Sequence, residues 1–245
     1  MKAPANITSK INGVVDFILP PRCTACDIKV SDTGALCPSC WSDLALISPP
    51  HCACCGLPFS FDEGKDALCA ACIKDTPPYI WARAALRYDD TSQSIILALK
   101  HGKRLENAAL MARMCQLVAN RLLDDIDTII PVPLHRRRLF KRRFNQSAYL
   151  AQHLNKLNNI PVDVMSLTRV KATPPQVGLS RSERQKNVRG AFKVLNNNKI
   201  KGKRLLLIDD VFTTGATVEA CAKVLVKAGA ENVAILTFAR TFKAK

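Results

Sequence analysis

Eight cysteines in four Cys-x2-Cys pairs constrain this chain more than any other feature. Cys23 and Cys26 are followed after ten residues by Cys37 and Cys40, and Cys52 and Cys55 after thirteen by Cys69 and Cys72. Each pair presents two thiolates to one ion, and two pairs complete a closed tetrahedral site of the structural zinc kind. The segment is too poor in Leu, Ile and Val to fold alone by apolar burial. Metal binding would supply the missing free energy, on the order of 10 kcal/mol per site. With four cysteines around each ion no position stays open, so the zinc is expected to be structural and not catalytic. Two alternatives stay open at this level. One is a disulfide cluster; the other is a cross-braced pairing in which Cys23 and Cys26 join Cys52 and Cys55. Sequential pairing closes the shorter loops. Cys54 falls inside the third pair and is not expected to be a ligand, while neighbouring His51 could replace a cysteine.

Charge divides the chain where the cysteines end. Residues 1–78 carry six Lys/Arg and eight Asp/Glu, and residues 79–245 carry thirty and twelve, which together give the net +16 of the whole chain. Thr76-Pro77-Pro78 would break regular structure at that point. Two domains are therefore expected, 1–78 and 79–245. The chain is 48% hydrophobic, which is globular and excludes a disordered chain. The basic half implies a polyanionic partner or a phosphate-rich substrate, with a merely solvated surface as the plain alternative. No run approaches the roughly 18–20 apolar residues of a membrane span. Ile11–Leu19 is interrupted by Asn12 and Asp16 and lacks a small-residue cleavage site before Pro20-Pro21, so it reads as a short helix and not as a signal peptide. A cytoplasmic location is expected, where clustered cysteines are metal ligands before they are disulfides.

The most informative stretch of the basic half is Lys203 to Thr217. Leu205–Ile208 is continuously apolar, as in a buried parallel strand. Asp209 and Asp210 follow, then a small-residue turn, then helical spacing over Val218–Ala228 closed by Gly229. Val233–Phe238 reads as the next buried strand. Ligands of such β-loop-α-β units bind at the carboxyl ends of the strands. Thr213, Thr214, Gly215 and Thr217 offer hydroxyls and approachable N–H groups at a helix start, a geometry that binds a phosphate dianion. Two carboxylates beside a phosphate would repel it. They make sense if they accept hydrogen bonds from a diol one sugar-length away or help to position a metal, and a ribose 5-phosphate meets both demands. There is no Gly-Lys-Ser/Thr, so this is not a Walker loop.

Leu206-Leu-Ile-Asp-Asp-Val-Phe-Thr-Thr-Gly-Ala-Thr217 resembles the phosphoribosyl-diphosphate (PRPP) motif of type I phosphoribosyltransferases. The resemblance implies that Asp209 and Asp210 are the catalytic acids that hold the ribose hydroxyls. Val211, Thr213, Thr214, Gly215, Ala216 and Thr217 would complete the PRPP-binding set, with the loop around the 5′-phosphate. Residues 129–149 and the pattern Arg169…Gln176…Arg184…Asn187-Val188-Arg189-Gly190-Ala191-Phe192 resemble the ComF (competence protein F) family, as does an N-terminal double zinc ribbon. The implied fold is α/β: a type I phosphoribosyltransferase sheet flanked by helices, behind a double zinc ribbon. Where that family usually has Gly before Phe-Asn-Gln, this chain has Arg143; a positive φ there would strain it.

Ile129–Val132 reads as a further buried strand, ending in a tight turn at Pro133, Leu134, His135 and Arg136. By resemblance this turn touches pyrophosphate. Six cations stand between Arg136 and Arg143. Pyrophosphate needs about two of them, and the others are nucleic-acid contacts or a solvated face. Asn145 could cap a helix that runs to about Asn155. Residues 169–190 are polar, basic and without apolar period, and read as a mobile loop; by resemblance it closes over PRPP with Arg169, Lys171, Gln176 and Arg184 as candidates. Upstream, a strand over Ala84–Tyr88 and a helix over Ser92–Leu99 lead to Lys100, which would meet pyrophosphate or sit exposed at a helix end. Leu105–Leu123 has helical spacing that packs a sheet.

Two functions follow as expectations. One is transfer of a phosphoribosyl group from PRPP, with Mg2+ neutralising pyrophosphate. No general base for a nucleobase stands out. The other, from the family resemblance, is a non-catalytic competence accessory protein that senses PRPP or a nucleotide and binds single-stranded DNA or a competence helicase.

Overall fold

The computed structural model describes residues 20–102, 104–174 and 180–242. The helix expected over residues 11–19 and the candidate Gln176 lie outside them.

A parallel sheet carries the basic half. Its strands are β1 (Trp81–Arg87), β2 (Thr128–Pro131), β5 (Arg204–Phe212) and β6 (Asn232–Arg240), in the order β1-β6-β5-β2. The continuous apolar runs have a direct cause. Successive strand residues point to opposite faces, and both faces are covered. Leu206 and Ile208 enter one core with Ala234, Leu236 and Phe238, while Leu205 and Leu207 enter a second with Val233 and Ile235. β5 does not stop at Ile208. It continues through Asp209 and Asp210 to Phe212, paired with β6 as far as Arg240.

Helices α3 (Asp90–Lys100), α4 (Asn107–Ala119) and α6 (Gln146–Asn158) cover the first face. The start of α3 is fixed by a reciprocal cap: Asp89 accepts from the Ser92 N–H, and Ser92 Oγ accepts from the Asp89 N–H, both at 2.9 Å. Asn145 caps α6, accepting from the Ser147 N–H at 3.1 Å. The second face is covered by α8 (Ala216–Lys227), by a small antiparallel pair β3 (Leu167–Arg169) and β4 (Phe192–Val194), and by α7 (Arg181–Val188).

Two stretches differ from expectation. The cation run is a helix, α5 (Arg136–Arg142), capped by His135 and ended by Arg143 at φ +66°. The strain expected at Arg143 is thus present. The presumed loop 169–190 contains β3's last residue and all of α7, which opens on a Ser180/Glu183 capping box. Neither helix has an apolar stripe, because each is mostly solvated: α5 buries none of its residues, and α7 buries Val188.

The cysteine-rich segment, with short helices α1 (Pro38–Ser42) and α2 (Ala70–Lys74), straddles edge strand β1. Residues 45–47 run antiparallel to β1: Ile47 N–H donates to Ala85 O at 2.9 Å, and Arg87 N–H to Ala45 O at 2.8 Å. The sheet edge is therefore covered. The first ribbon packs Ala25, Leu36 and Leu44 on the first core; the second packs Cys54 on the second core. Gly56 lies so close that a Cβ there would sit 2.4 Å from Ala82 O. Among the described residues no helix is long and apolar enough to cross a membrane.

Candidate functional site

The carboxyl ends of β1, β2 and β5 open into a cleft of about 510 Å3. Its floor is the acid pair. The two carboxyls do not share a partner. Asp210 is buried and forms an ion pair with Lys100, the last residue of α3. Asp209 Oδ1 accepts from Ser147 Oγ at 2.9 Å and from the Asp210 N–H at 2.9 Å. Burial and the neighbouring Asp210 charge push Asp209 up to about 8. Burial works to raise Asp210 too, but the Lys100 ammonium overrides it and holds that carboxyl below its usual range. The floor thus sets a carboxyl that burial and a like charge make a weaker acid beside one that Lys100 makes a stronger acid.

Next to the floor β5 turns into α8. Gly215 caps α8 at φ +83°, and a Cβ there would lie 2.9 Å from the Phe212 ring, so glycine alone fits this bend. Thr213 and Thr217 line the cleft, while Thr214, Gly215 and Ala216 form the loop and helix start behind them. The N–H groups of a helix start favour an anion.

The opposite wall is cationic. Arg138 and Arg142, four residues apart on α5, share the face that lines the cleft, with Arg169 from β3 and Arg184 from α7. Arg169 is buried, lies 5.2 Å over the Phe192 ring and donates to Thr173 Oγ1. Arg142 donates to Gln146 Oε1 at 3.3 Å. Among the described residues no carboxylate lies within ion-pair distance of Arg138, Arg142 or Arg169. Burial, then Arg142, depresses Arg138; burial, then Arg138, depresses Arg169. These guanidiniums repel one another along the cleft they line.

The cysteines resolve into two sequential tetrads, Cys23/Cys26/Cys37/Cys40 and Cys52/Cys55/Cys69/Cys72, with the sulfurs of each within 4.8 Å of one another. Cys26 and Cys37 are 3.7 Å apart and Cys55 and Cys69 3.6 Å. A tetrahedron with Zn–S bonds of about 2.3 Å has edges of about 3.8 Å, so zinc fits, whereas a disulfide needs about 2.05 Å. Burial alone would raise Cys23 and Cys52, but backbone N–H donors, chiefly those of Cys37 and Cys69, pull them down to about 6 and about 7. The cross-braced pairing does not occur, and neither Cys54 nor His51 joins a tetrad.

Comparison with known proteins agrees with this geometry. Residues 14–73 match the double zinc ribbon domain and residues 145–244 the phosphoribosyl transferase domain. The DNA utilization protein YhgH of Salmonella typhi is 32% identical over 225 residues, 89% of this chain and 90% of that protein. Competence protein F of Haemophilus influenzae is 30% identical over 89% of this chain and 96% of its own length. Competence protein ComFC of Bacillus subtilis is 27% identical over 84% of each. The chain belongs to the ComF family.

Of the residues expected in this ComF-family site, the cleft brings together Lys100, Pro133, Leu134, Arg169, Arg184, Asp209, Asp210, Val211, Thr213 and Thr217. His135 and Arg136 do not line it; His135 Nδ1 instead accepts from the Arg137 N–H at 3.3 Å to cap α5, and Arg136 is exposed. Lys171 donates to Arg189 O. Lys100 is not an exposed helix-end lysine, since Asp210 binds it. Sequence reasoning left Tyr88, Gln146, Ser147 and Thr241 unassigned, and did not single out Arg138 and Arg142. The four-residue spacing 138–142–146 was the available signal for one shared face. Nothing local marked Ser147 as a partner of Asp209.

Proposed function

We propose that the cleft binds PRPP and that the chain transfers the phosphoribosyl group to an acceptor, in the handling of DNA-derived or other nucleotides. The observation that carries this is the pairing, across one cleft, of an acid pair and helix start with Arg138, Arg142 and Arg169, which have no carboxylate within ion-pair distance among the described residues. Thr213 to Thr217 would receive the 5′-phosphate, and Asp209 and Asp210 the ribose hydroxyls. Arg138, Arg142, Arg169 and Arg184 would meet the pyrophosphate. Mg2+ would arrive with that pyrophosphate and neutralise part of its charge. The C1–O bond to pyrophosphate then breaks, the leaving oxygen keeps the electron pair, and an acceptor nucleophile bonds to C1. The protein's part is to position the sugar and stabilise the leaving charge.

The reading is tested by calorimetric titration with PRPP and Mg2+, followed by pyrophosphate release in the presence of nucleobases, nucleosides and single-stranded DNA. Saturable PRPP binding with release on one of these acceptors is expected. Failure to bind PRPP overturns the reading; binding without release on any acceptor turns it to a PRPP sensor.

A second surface supports the DNA link that the relatives' names carry. The outer side of α5 exposes Arg136, Arg137 and Lys141 around Phe140, which is 87% exposed. An exposed ring among cations suits single-stranded nucleic acid, and a competence helicase would meet the same DNA. Replacing the three cations is expected to reduce the slope of log affinity against log salt by roughly 2, at about 0.7 per phosphate contact. An unchanged slope excludes this face. A cytoplasmic location fits both activities.

A further inference from the structure

Arg240 ends β6 and is buried, yet among the described residues no carboxylate lies within ion-pair distance of it. A buried cation needs a counter-charge. Its contacts show where that charge is. Arg240 Nη1 donates to Cys55 O, and Nη2 approaches Cys55 Sγ at 3.6 Å. Four thiolates around Zn2+ carry a net charge of −2, and this tetrad lies directly beside the guanidinium. The other side of Arg240 stacks on Phe212, with 4.5 Å between the guanidinium carbon and the ring centroid. Phe212 in turn sits against Gly215, whose Cα leaves no room for a Cβ beside that ring. One guanidinium therefore touches the second zinc tetrad and the residue on which the phosphate loop rests.

Among the described residues the first tetrad has no such link. Arg104 from the segment before α4 donates to Arg22 O and pairs with Asp27, so its charge is matched by a carboxylate and it touches no ligand sulfur.

We propose that Arg240 is a positioning residue that couples the second zinc tetrad, and not the first, to phosphate binding at Thr213–Thr217. The coupling rests on the phosphate-loop reading above. It is reciprocal: whatever the tetrad's charge contributes to holding Phe212 and Gly215 in place, a bound phosphate returns to the tetrad. Loss of the second zinc would leave Arg240 without its counter-charge and loosen the loop's support.

The test exchanges zinc for cadmium-113 in the full chain and follows the two cadmium resonances, each assigned through its cysteine β protons. Ribose 5-phosphate is then added, with binding measured separately by calorimetry. The expected result is a shift of the Cys52/Cys55/Cys69/Cys72 resonance, with the Cys23/Cys26/Cys37/Cys40 resonance unmoved as internal control. In Arg240→Met that shift disappears and ribose 5-phosphate affinity falls about tenfold, within the range of ordinary coupling energies; Arg240→Lys recovers part of both. The wild-type spectrum decides the matter even where Arg240→Met fails to fold. Binding that leaves both resonances in place overturns the coupling alone. Absence of calorimetric binding overturns the phosphate-loop reading on which it stands.

Discussion

The two ends of the parallel sheet handle charge in opposite ways. At the amino end, Arg204 opens β5 and is fully answered. Its Nη2 lies 3.0 Å from Asp127 Oδ1, its backbone N–H donates to Asp127 Oδ2 at 2.8 Å, and Nη1 lies 3.0 Å from Asp125. That end also has a hollow, about 390 Å3, lined by Arg121, Asp125 and Arg204 among apolar residues. At the carboxyl end the cleft is larger, several arginines line it together, and burial pushes the Asp209 carboxyl up. Charge at the first end is spent on structure. At the second, Arg138, Arg142 and Arg169 have no carboxylate within ion-pair distance among the described residues, an arrangement that costs stability and favours an anion. A hollow alone does not distinguish the ends; the state of its charges does.

The largest way to break this comparison is to remove the acid pair. Asp209→Asn with Asp210→Asn is expected to lower pyrophosphate release from PRPP by about 100-fold to 1,000-fold, the usual cost of losing preorganised polar groups at a reacting centre. Coupled assay of pyrophosphate with each acceptor checks this. Retention of full release would show that the acids are structural, as at the amino end.

Next in size is the exchange of cations between the ends. Arg138→Met with Arg142→Met is expected to weaken PRPP binding by at least about 100-fold, since hydrogen bonds to charged groups contribute about 1.5–3 kcal/mol each. The melting temperature should stay level or rise, because crowded guanidiniums are separated. Arg204→Met should do the reverse: lower the melting temperature and leave PRPP affinity unchanged. Calorimetry and thermal melts on both variants decide it, and equal behaviour of the two would abolish the distinction.

The ends should also titrate in opposite directions. Asp209 keeps its proton in the folded chain up to about 8, whereas in the unfolded chain it releases it near 4. Between those values the folded state binds the extra proton, so this group's stabilising contribution, complete below about 4, is lost as pH rises toward 8. Asp127 is held below its usual range by hydrogen bonds from Arg204. Its contribution is present above the usual carboxylate value and is lost as pH falls below it. Asp209→Asn should therefore flatten the fall in melting temperature from about pH 5 to about pH 8, and Asp127→Asn the fall on the acid side. A wild-type and Asp209→Asn pair with parallel profiles would place the proton elsewhere.

The comparison also explains what was legible in the sequence. Both-face burial makes β2, β5 and β6 read as unbroken apolar runs, whereas loop length favoured sequential cysteine pairing without excluding the cross-braced one, which only the positions of the sulfurs rule out. The acid pair and Thr-rich bend were visible because strand, turn and helix start are local. The wall that faces them was not. Arg138, Arg142 and α7 belong to solvated helices without an apolar period, so composition made them a cation run and a loop. The Lys100–Asp210 and Ser147–Asp209 contacts join residues 110 and 62 positions apart, and only the fold brings them together.

The smallest effect separates the cations of the cleft from their neighbours in the same run. Arg143 ends α5 in the left-handed region, at φ +66°, where a side chain costs about 1–2 kcal/mol. It is exposed and does not line the cleft. Glycine removes that strain but gives the unfolded chain more freedom, which takes back about 0.5–1 kcal/mol. Arg143→Gly is therefore expected to stabilise the chain by about 0.5–1 kcal/mol and to leave PRPP affinity as it was. Chemical denaturation and calorimetry measure the two quantities. If affinity instead falls as it does for Arg138→Met with Arg142→Met, the cleft draws on the field of the whole run, and the four-residue spacing of Arg138 and Arg142 loses its meaning.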